Sequence, residues 1–547
     1  QTDPWGAGAI PSSVKKLDPS LTDLMAYSNR ISGDALLSFN KGFGDFTTKL
    51  ILGNSIYRRT SRFISTSTGS LVIPGIFNIN YRQGEPNVNE QYAAEGLVGV
   101  FGDLTLGWRN ILFVHATGRN DWNSKLAKAN RSFFYPGVDA AFVFSDAFEG
   151  LKNNSVLSYG KVRAAWTKVG QVSVDPYSLD NLVFPGGGFP YGAQVGYTIS
   201  NNFANPALEP EFTTEKEIGL ELGFLRNRIN FQAAVFDQKT TNQTIPSQIS
   251  SATGFTSATI NLGSMTNKGI ELDLRMTPLL DLGPVKWNFG ANFAYIKNRV
   301  GEDLGGEISL GNNVYAIPGK PYPYVKTTDW TRDPEGHIIV DANTGFPTKA
   351  SPLVGFGTTV PPYKVGLTTS FTLGGWTLSA VADARFGGVI YNAIGTSLDF
   401  TGISWYTAQT GRQPFIIPNS VISQGGGKYI PNTSVVTNTL STNGEWRFWA
   451  NTWNAVGANY VNSADFWKIR EIALTYDFSK KLTDRLKVVQ GASLTLSGRN
   501  LFMFRAKDNV WTDPEFSAAG TSNAIGTTDI FQTPPTRIFG ATLNVNF

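Results

Sequence analysis

Apolar side chains return at every second position along most of this chain, in runs of about ten residues or more. In 217–224, Ile218, Leu220, Leu222 and Phe224 face one way, and Glu217, Gly219, Glu221 and Gly223 the other. In 270–276, Ile270, Leu272, Leu274 and Met276 oppose Glu271, Asp273 and Arg275, and 539–547 repeats the pattern from Phe539 to Phe547. A strand with this period has one apolar and one polar face. Strands of soluble sandwiches alternate too, but they are short, around 5–6 residues. A tilted strand needs roughly 9–11 residues to cross a bilayer. Charged residues make up 16% of the chain, against ~25% in an ordinary soluble domain, and the mean hydropathy is −0.13. No stretch approaches the ~18–20 continuous apolar residues of a transmembrane helix. A chain that is polar on average still spans a bilayer as a closed barrel, because only alternate residues meet lipid. The alternation therefore predicts an all-β fold, a transmembrane antiparallel β-barrel with long extracellular loops and short periplasmic turns.

About fifteen such strands are read, near 31–41, 45–58, 92–108, 109–118, 133–145, 158–169, 212–225, 228–241, 263–277, 285–299, 362–373, 376–391, 464–477, 490–503 and 535–547. Outer-membrane barrels alternate long outer loops with short periplasmic turns. With the last strand running down to the periplasm, 59–91, 119–132, 170–211, 242–262, 300–361, 392–463 and 504–534 become external. The periplasmic connections become 42–44, 108–109, 146–157, 226–227, 278–284, 374–375 and 478–489. On these boundaries every external connection is longer than every periplasmic one. Trp108, Tyr135, Trp166, Trp287, Tyr295, Tyr363, Trp376, Trp467 and Tyr476 are expected to form interfacial girdles. Glu, Arg and Asn residues within the strands are expected to face a polar lumen. The predicted location is a Gram-negative outer membrane, with its lipid as the first partner.

Other functional classes are poorly served. The net charge of +4 is spread thinly, with no Lys/Arg run to hold nucleic acid. There is no cysteine, and the two histidines are His115, in a strand, and His337, in a loop. Neither a His-Glu-x-x-His zinc motif nor a Gly-x-Ser-x-Gly elbow is present, and the glycine run at 186–188 lacks the Lys and Ser/Thr of a phosphate loop. No enzyme, metal or cofactor is expected. The oxygen-rich stretches Asp333-Pro334-Glu335-Gly336-His337 and Asp341-Ala342-Asn343-Thr344-Gly345 could bind calcium, but they read first as turns. The longest loop, 392–463, carries Trp405, Tyr406, Trp446, Phe448, Trp449, Trp453 and Tyr460. These rings are candidates for stacking on a solute, for burial against a partner, or for packing the loop on itself.

Several segments together resemble the SusC/RagA family of TonB-dependent outer-membrane transporters. Gly118-Arg119-Asn120-Asp121-Trp122 followed by Asn130-Arg131-Ser132-Phe133-Phe134-Tyr135-Pro136 is similar to one family block. Asn205-Pro206-Ala207-Leu208-Glu209-Pro210-Glu211 with Thr213-Thr214-Glu215-Lys216-Glu217-Ile218-Gly219 is similar to a second. Asn261-Leu262-Gly263 with Asn267-Lys268-Gly269-Ile270-Glu271-Leu272, then Phe466-Trp467-Lys468-Ile469-Arg470-Glu471-Ile472, Ser497-Gly498-Arg499-Asn500-Leu501-Phe502 and Asp513-Pro514-Glu515 complete the set. The resemblance covers roughly 95–547. The C-terminal Phe547, closing an alternating strand, resembles the signal read by the barrel assembly machinery. These motifs read as barrel architecture before solute contacts.

The resemblance implies a barrel of about 22 strands around an N-terminal plug. It further implies a TonB-contacting segment ahead of the plug, a SusD-like surface lipoprotein as a lid, and a glycan, oligosaccharide or oligopeptide as the imported solute. This sequence departs from the family at its front, where plug, TonB segment and about seven strands are absent. Residues 1–30 are expected to be the remnant of an extracellular loop or an irregular lead-in. Residues 31–547 are expected to be the C-terminal part of the barrel, with the remaining N-terminal barrel and plug cleaved, outside this sequence or on another polypeptide. The alternative is a non-importing barrel that serves as a structural or secretion-associated scaffold.

Overall fold

The computed structural model describes residues 20–547 apart from 74, 153, 192–193, 412, 437–447, 481–487, 519, 521–524 and 532. Fifteen long strands form one sheet: β1 Leu21–Phe43, β2 Phe46–Thr68, β3 Asn87–Trp108, β4 Leu112–Asn123, β5 Ser132–Phe142, β6 Leu157–Gln171, β7 Glu211–Phe224, β8 Ile229–Thr241, β9 Met265–Asp281, β10 Val285–Val300, β11 Tyr363–Leu373, β12 Trp376–Phe386, β13 Phe466–Asp477, β14 Gly491–Arg505 and β15 Ile538–Asn546. Each strand pairs antiparallel with its sequence neighbours, in an unbroken meander. Among the described residues, no helix is long and apolar enough to cross a membrane.

Tight turns close one end. Gly44 and Gly374, both at φ 58°, open the two-residue turns to β2 and β12, where a primed hairpin turn requires a positive φ. The register gives the sheet two chemically distinct faces. The apolar face carries rows such as Leu52, Gly102 and Ala35-Leu37, or Val114, Val138, Ala164 and Ile218, and these large residues are solvent-exposed in the isolated chain. Trp376 meets Tyr476 (4.5 Å) near the turn end, while Tyr295 stacks on Tyr363 (4.8 Å) and Phe386 meets Trp467 (5.7 Å) near the loop end. About ten residues of β3 separate Trp108 from the level of Trp122, about 25 Å along the barrel axis at a ~40° tilt, which matches an outer-membrane apolar band.

The structure corrects four expectations. Tyr135 lies on the polar face, where its hydroxyl donates to Asp121 Oδ2 (2.7 Å), so it belongs to no girdle. Not every strand Glu, Arg and Asn faces inward, since Asn54, Arg58, Arg62 and Asn120 lie in the outer rows. β1 begins at Leu21, so 21–30 are strand and not loop. Because β4 runs on to Asn123, the external connection 124–131 is shorter than the turn-side connections 143–156 and 478–490. The strict ordering by length fails, although the largest connections, 301–362 and 387–465, do lie at the external end.

Candidate functional site

The polar face is held by cross-strand pairs. His115 sits between Asp103 (2.9 Å) and Asp139 (2.6 Å), and Lys161 meets Glu221 at 2.9 Å. Arg163 pairs with Glu217, Gln238 donates to Glu215 (3.0 Å) and Asn267 donates to Gln238 (3.1 Å). Between β7–β10 and the overlying loop 301–362 lies a cavity of about 630 Å³, with Glu215, Glu217, Glu271, Asn267, Asn298 and Tyr322 on its walls. Carboxylates, amides and a phenol side by side can hydrogen-bond a hydroxylated or amide-bearing solute.

The two largest loops and loop 506–537 interlock above this face. Ile338–Val340 of loop 301–362 pairs in parallel with Ser420–Gly425 of loop 387–465. Beneath that sheet, Phe448 is 1% exposed and packs with Val340, Ile417, Ile422 and Val436, against the rings of Phe346, Phe415, Trp449 and Trp453. Trp330 donates to Asn459 Oδ1 (2.9 Å), while Asn392 reaches Asn509 of loop 506–537 (3.3 Å).

The rings of the longest loop therefore divide. Phe448 and Tyr460 are fully buried, Trp449 and Trp453 pack on the aromatic cluster, and Tyr406 bridges Trp405 and Trp511. Trp405 is 70% exposed. Trp446 falls outside the described residues. Tyr460 donates to Asp399 Oδ2 (2.7 Å), and Ser404 donates to the other oxygen. Asp399 lies on helix α1, Ala393–Thr401. Burial raises the Asp399 carboxyl above its ordinary value despite these two donors and a third, Trp453, and raises the Tyr460 phenol as well. Tyr460→Phe removes one of the carboxylate's three donors, so about 1–3 kcal/mol of loop stability should be lost. Protease cutting within 387–465 should rise while the strands stay protected.

The family-like segments pair with one another. Arg119 Nε donates to Asp121 (2.7 Å) on the inner face, whereas Asn120 and Trp122 point outward, with Asn120 donating to Ser132 (3.1 Å). Asn130 Nδ2 donates to the carbonyls of Ala207 and Leu208, just after Asn205 and Pro206. Glu209 N–H donates to Asn261, and the buried Glu211 accepts from Thr244 N–H (2.8 Å). Asn267, Gly269 and Glu271 share the inner face, while Lys268 pairs with Asp237 (2.8 Å) on the outer one. Arg499 meets Glu471 (2.7 Å), Asn500 adopts φ 54° at a bulge, and Phe547 is exposed.

Sequence reasoning missed how the last of these segments combine. A bulge after Ile469 leaves Arg470 on the inner side together with Lys468, while Ile472 keeps its outward place. There Lys468 binds Asp513 (2.6 Å) and Glu515, and Arg470 binds Glu515 (2.7 Å) and Asp383 (2.8 Å). Arg385 adds a contact to Glu515 at 2.9 Å. Two motifs 45 residues apart are thus one ionic clamp that fixes loop 506–537 to the wall.

Asp333, Glu335 and His337 bring one donor atom each within 4.8 Å of one another. Asp333 Oδ1 already accepts the N–H groups of Glu335 and His337, and Asp341 accepts those of Asn343 and Thr344, as turn carboxylates do.

Residues 7–501 match the family described as TonB dependent receptor-like, beta-barrel. The chain is 21% identical over 548 aligned residues to TonB-dependent receptor P3 of Formosa agariphila, covering 93% of this chain and 52% of that protein. It is 26% identical over 273 residues to TonB-dependent receptor SusC of Bacteroides thetaiotaomicron, covering 45% of this chain and 27% of that one. The RagAB peptide transporter structure has a TM-score of 0.74 at 17% identity, over 96% of this chain and 56% of the matched chain, a likeness of fold. The chain thus spans about half the length, or less, of the curated relatives it matches. Sheet, loops and comparisons agree: this chain belongs to the TonB-dependent receptor β-barrel family, is of the SusC/RagA type, and resides in a Gram-negative outer membrane.

Proposed function

We propose that the protein is the barrel of a TonB-dependent importer that takes up glycans, oligosaccharides or oligopeptides beneath a SusD-like lipoprotein lid. The observation that carries this reading is the interlocked loop roof above a wall of hydrogen-bonding groups. Such a wall offers successive sites to a hydroxyl- or amide-rich solute, and a rigid roof offers a lid a fixed surface. In this reading Trp405, which is exposed, is the ring that meets that lid or the solute. The reading needs no catalytic group and no resident cofactor, and it treats the Asp333 and Asp341 stretches as turns. The family is one of receptors and transporters, not an enzyme class.

The test is mass spectrometry of the protein purified from outer membranes, followed by uptake of labelled oligosaccharides and oligopeptides with and without a protonophore. The expected result is a chain of about twice this mass, a co-purifying lipoprotein, and uptake that stops when the proton gradient collapses. A stable 59.5 kDa chain with neither a plug-bearing partner nor gradient-dependent uptake would overturn importer in favour of scaffold.

A further inference from the structure

Arg58 lies in the outward row of β2, paired with Gly96 of β3. One step toward mid-membrane the row continues through Ile56, Val98 and Trp122. These residues and Arg131, just ahead of β5, line a groove of about 740 Å³ on the outer face. The floor at Gly96 has no side chain, which leaves room for a hydrocarbon chain. Neither guanidinium makes a side-chain hydrogen bond or ion pair among the described residues. Arg62, farther out in the same row, is already paired with Glu90 at 2.7 Å.

A bare guanidinium at the edge of an apolar band is costly unless it reaches an anion at the interface. The groove opens at the end with the largest connections, and therefore toward the outer leaflet. In a Gram-negative outer membrane that leaflet is built of a multiply acylated glycolipid whose sugar phosphates sit at this depth. Two arginines above an apolar groove match one such molecule, with bidentate Arg–phosphate pairs over acyl chains packed on Ile56, Val98 and Trp122. We propose that Arg58 and Arg131 form a binding site for the phosphorylated head of an outer-leaflet lipid of the lipopolysaccharide type.

The test is native mass spectrometry of the full-length protein, extracted from outer membranes in mild detergent, on wild type, R58A/R131A, R58K/R131K and R62A. Folding of each is checked by heat-modifiable electrophoretic mobility. Wild type should retain the phosphorylated glycolipid, R58A/R131A should lose it about tenfold, R58K/R131K should keep it within about threefold, and R62A should match wild type. Adding back the same lipid after enzymatic dephosphorylation should restore no binding. Equal retention by R58A/R131A, equal binding of the dephosphorylated lipid, preference for phospholipid, or displacement by millimolar inorganic phosphate alone would each overturn the proposal.

Discussion

Phe448→Ala should detach the two largest loops from each other while leaving the barrel strands folded. The ring is 1% exposed and contacts Phe346 of one loop and Phe415, Trp449 and Trp453 of the other. Truncating a buried Phe removes its transfer energy and leaves a cavity, together about 3–5 kcal/mol. The strands draw their stability from the backbone ladder and the apolar band, which this ring does not touch. Limited proteolysis should therefore cut within 301–362 and 387–465 at far lower protease concentration than in wild type, with unchanged heat-modifiable mobility. Trp405→Ala is the contrast: at 70% exposure it should change loop stability by less than about 0.5 kcal/mol. Any loss it causes should appear only in lid or solute binding. Wild-type protease resistance in Phe448→Ala would show that the loops are held by their shared strands alone.

All fifteen strands were legible because lipid and lumen impose opposite demands on adjacent residues, and that demand is written at period two. Strand ends were not, because the demand stops at the membrane surface while hydrogen bonding continues. Leu21–Arg30 shows this, with Thr22, Asp23, Ser28 and Asn29 extending β1 through positions that alternation alone reads as loop. Polarity also misjudged some faces. Tyr135 has an interfacial ring but is drawn inward by Asp121, and Arg58 has a luminal charge but stands outward beside Trp122. The aromatic content of loop 392–463 was plain, yet sequence could not show that Phe448 and Tyr460 are buried, because their partners lie in loop 301–362, on α1 or in distant parts of the same loop. The ionic clamp was hidden for the same reason, even though the motifs of both its halves were visible.

Glu515→Gln should unlock loop 506–537, and acid should do the same to wild type. Glu515 meets Arg385, Lys468 and Arg470, while Lys468 is only 8% exposed and has Asp513 as its second anion. Burial alone would raise the Glu515 carboxyl, but hydrogen bonds and charge from Arg470 and Lys468 lower it from 4.5 to about 2. A carboxylate lowered in the folded state stabilises that state fully above its unfolded value. The contribution is lost as pH falls through the folded value, so the window runs from about 4.5 down to about 2. Over that window the shift is worth about 3 kcal/mol, similar to what is lost when one partner of a buried ion pair is removed. In wild type, protease cutting within 506–537, measured after a brief exposure to each pH and a return to neutrality too fast for re-docking, should stay low from pH 7 to about 5 and then rise. In Glu515→Gln cutting should already be high at pH 7, and its further change below pH 5 should be smaller. Equal protection of the two proteins at pH 7 would mean that Asp383 and Asp513 hold the three cations without Glu515. A wild-type profile that stays flat into strong acid would mean that the loop is fixed by its contacts with loop 387–465, through Asn392 and Asn509, and not by charge.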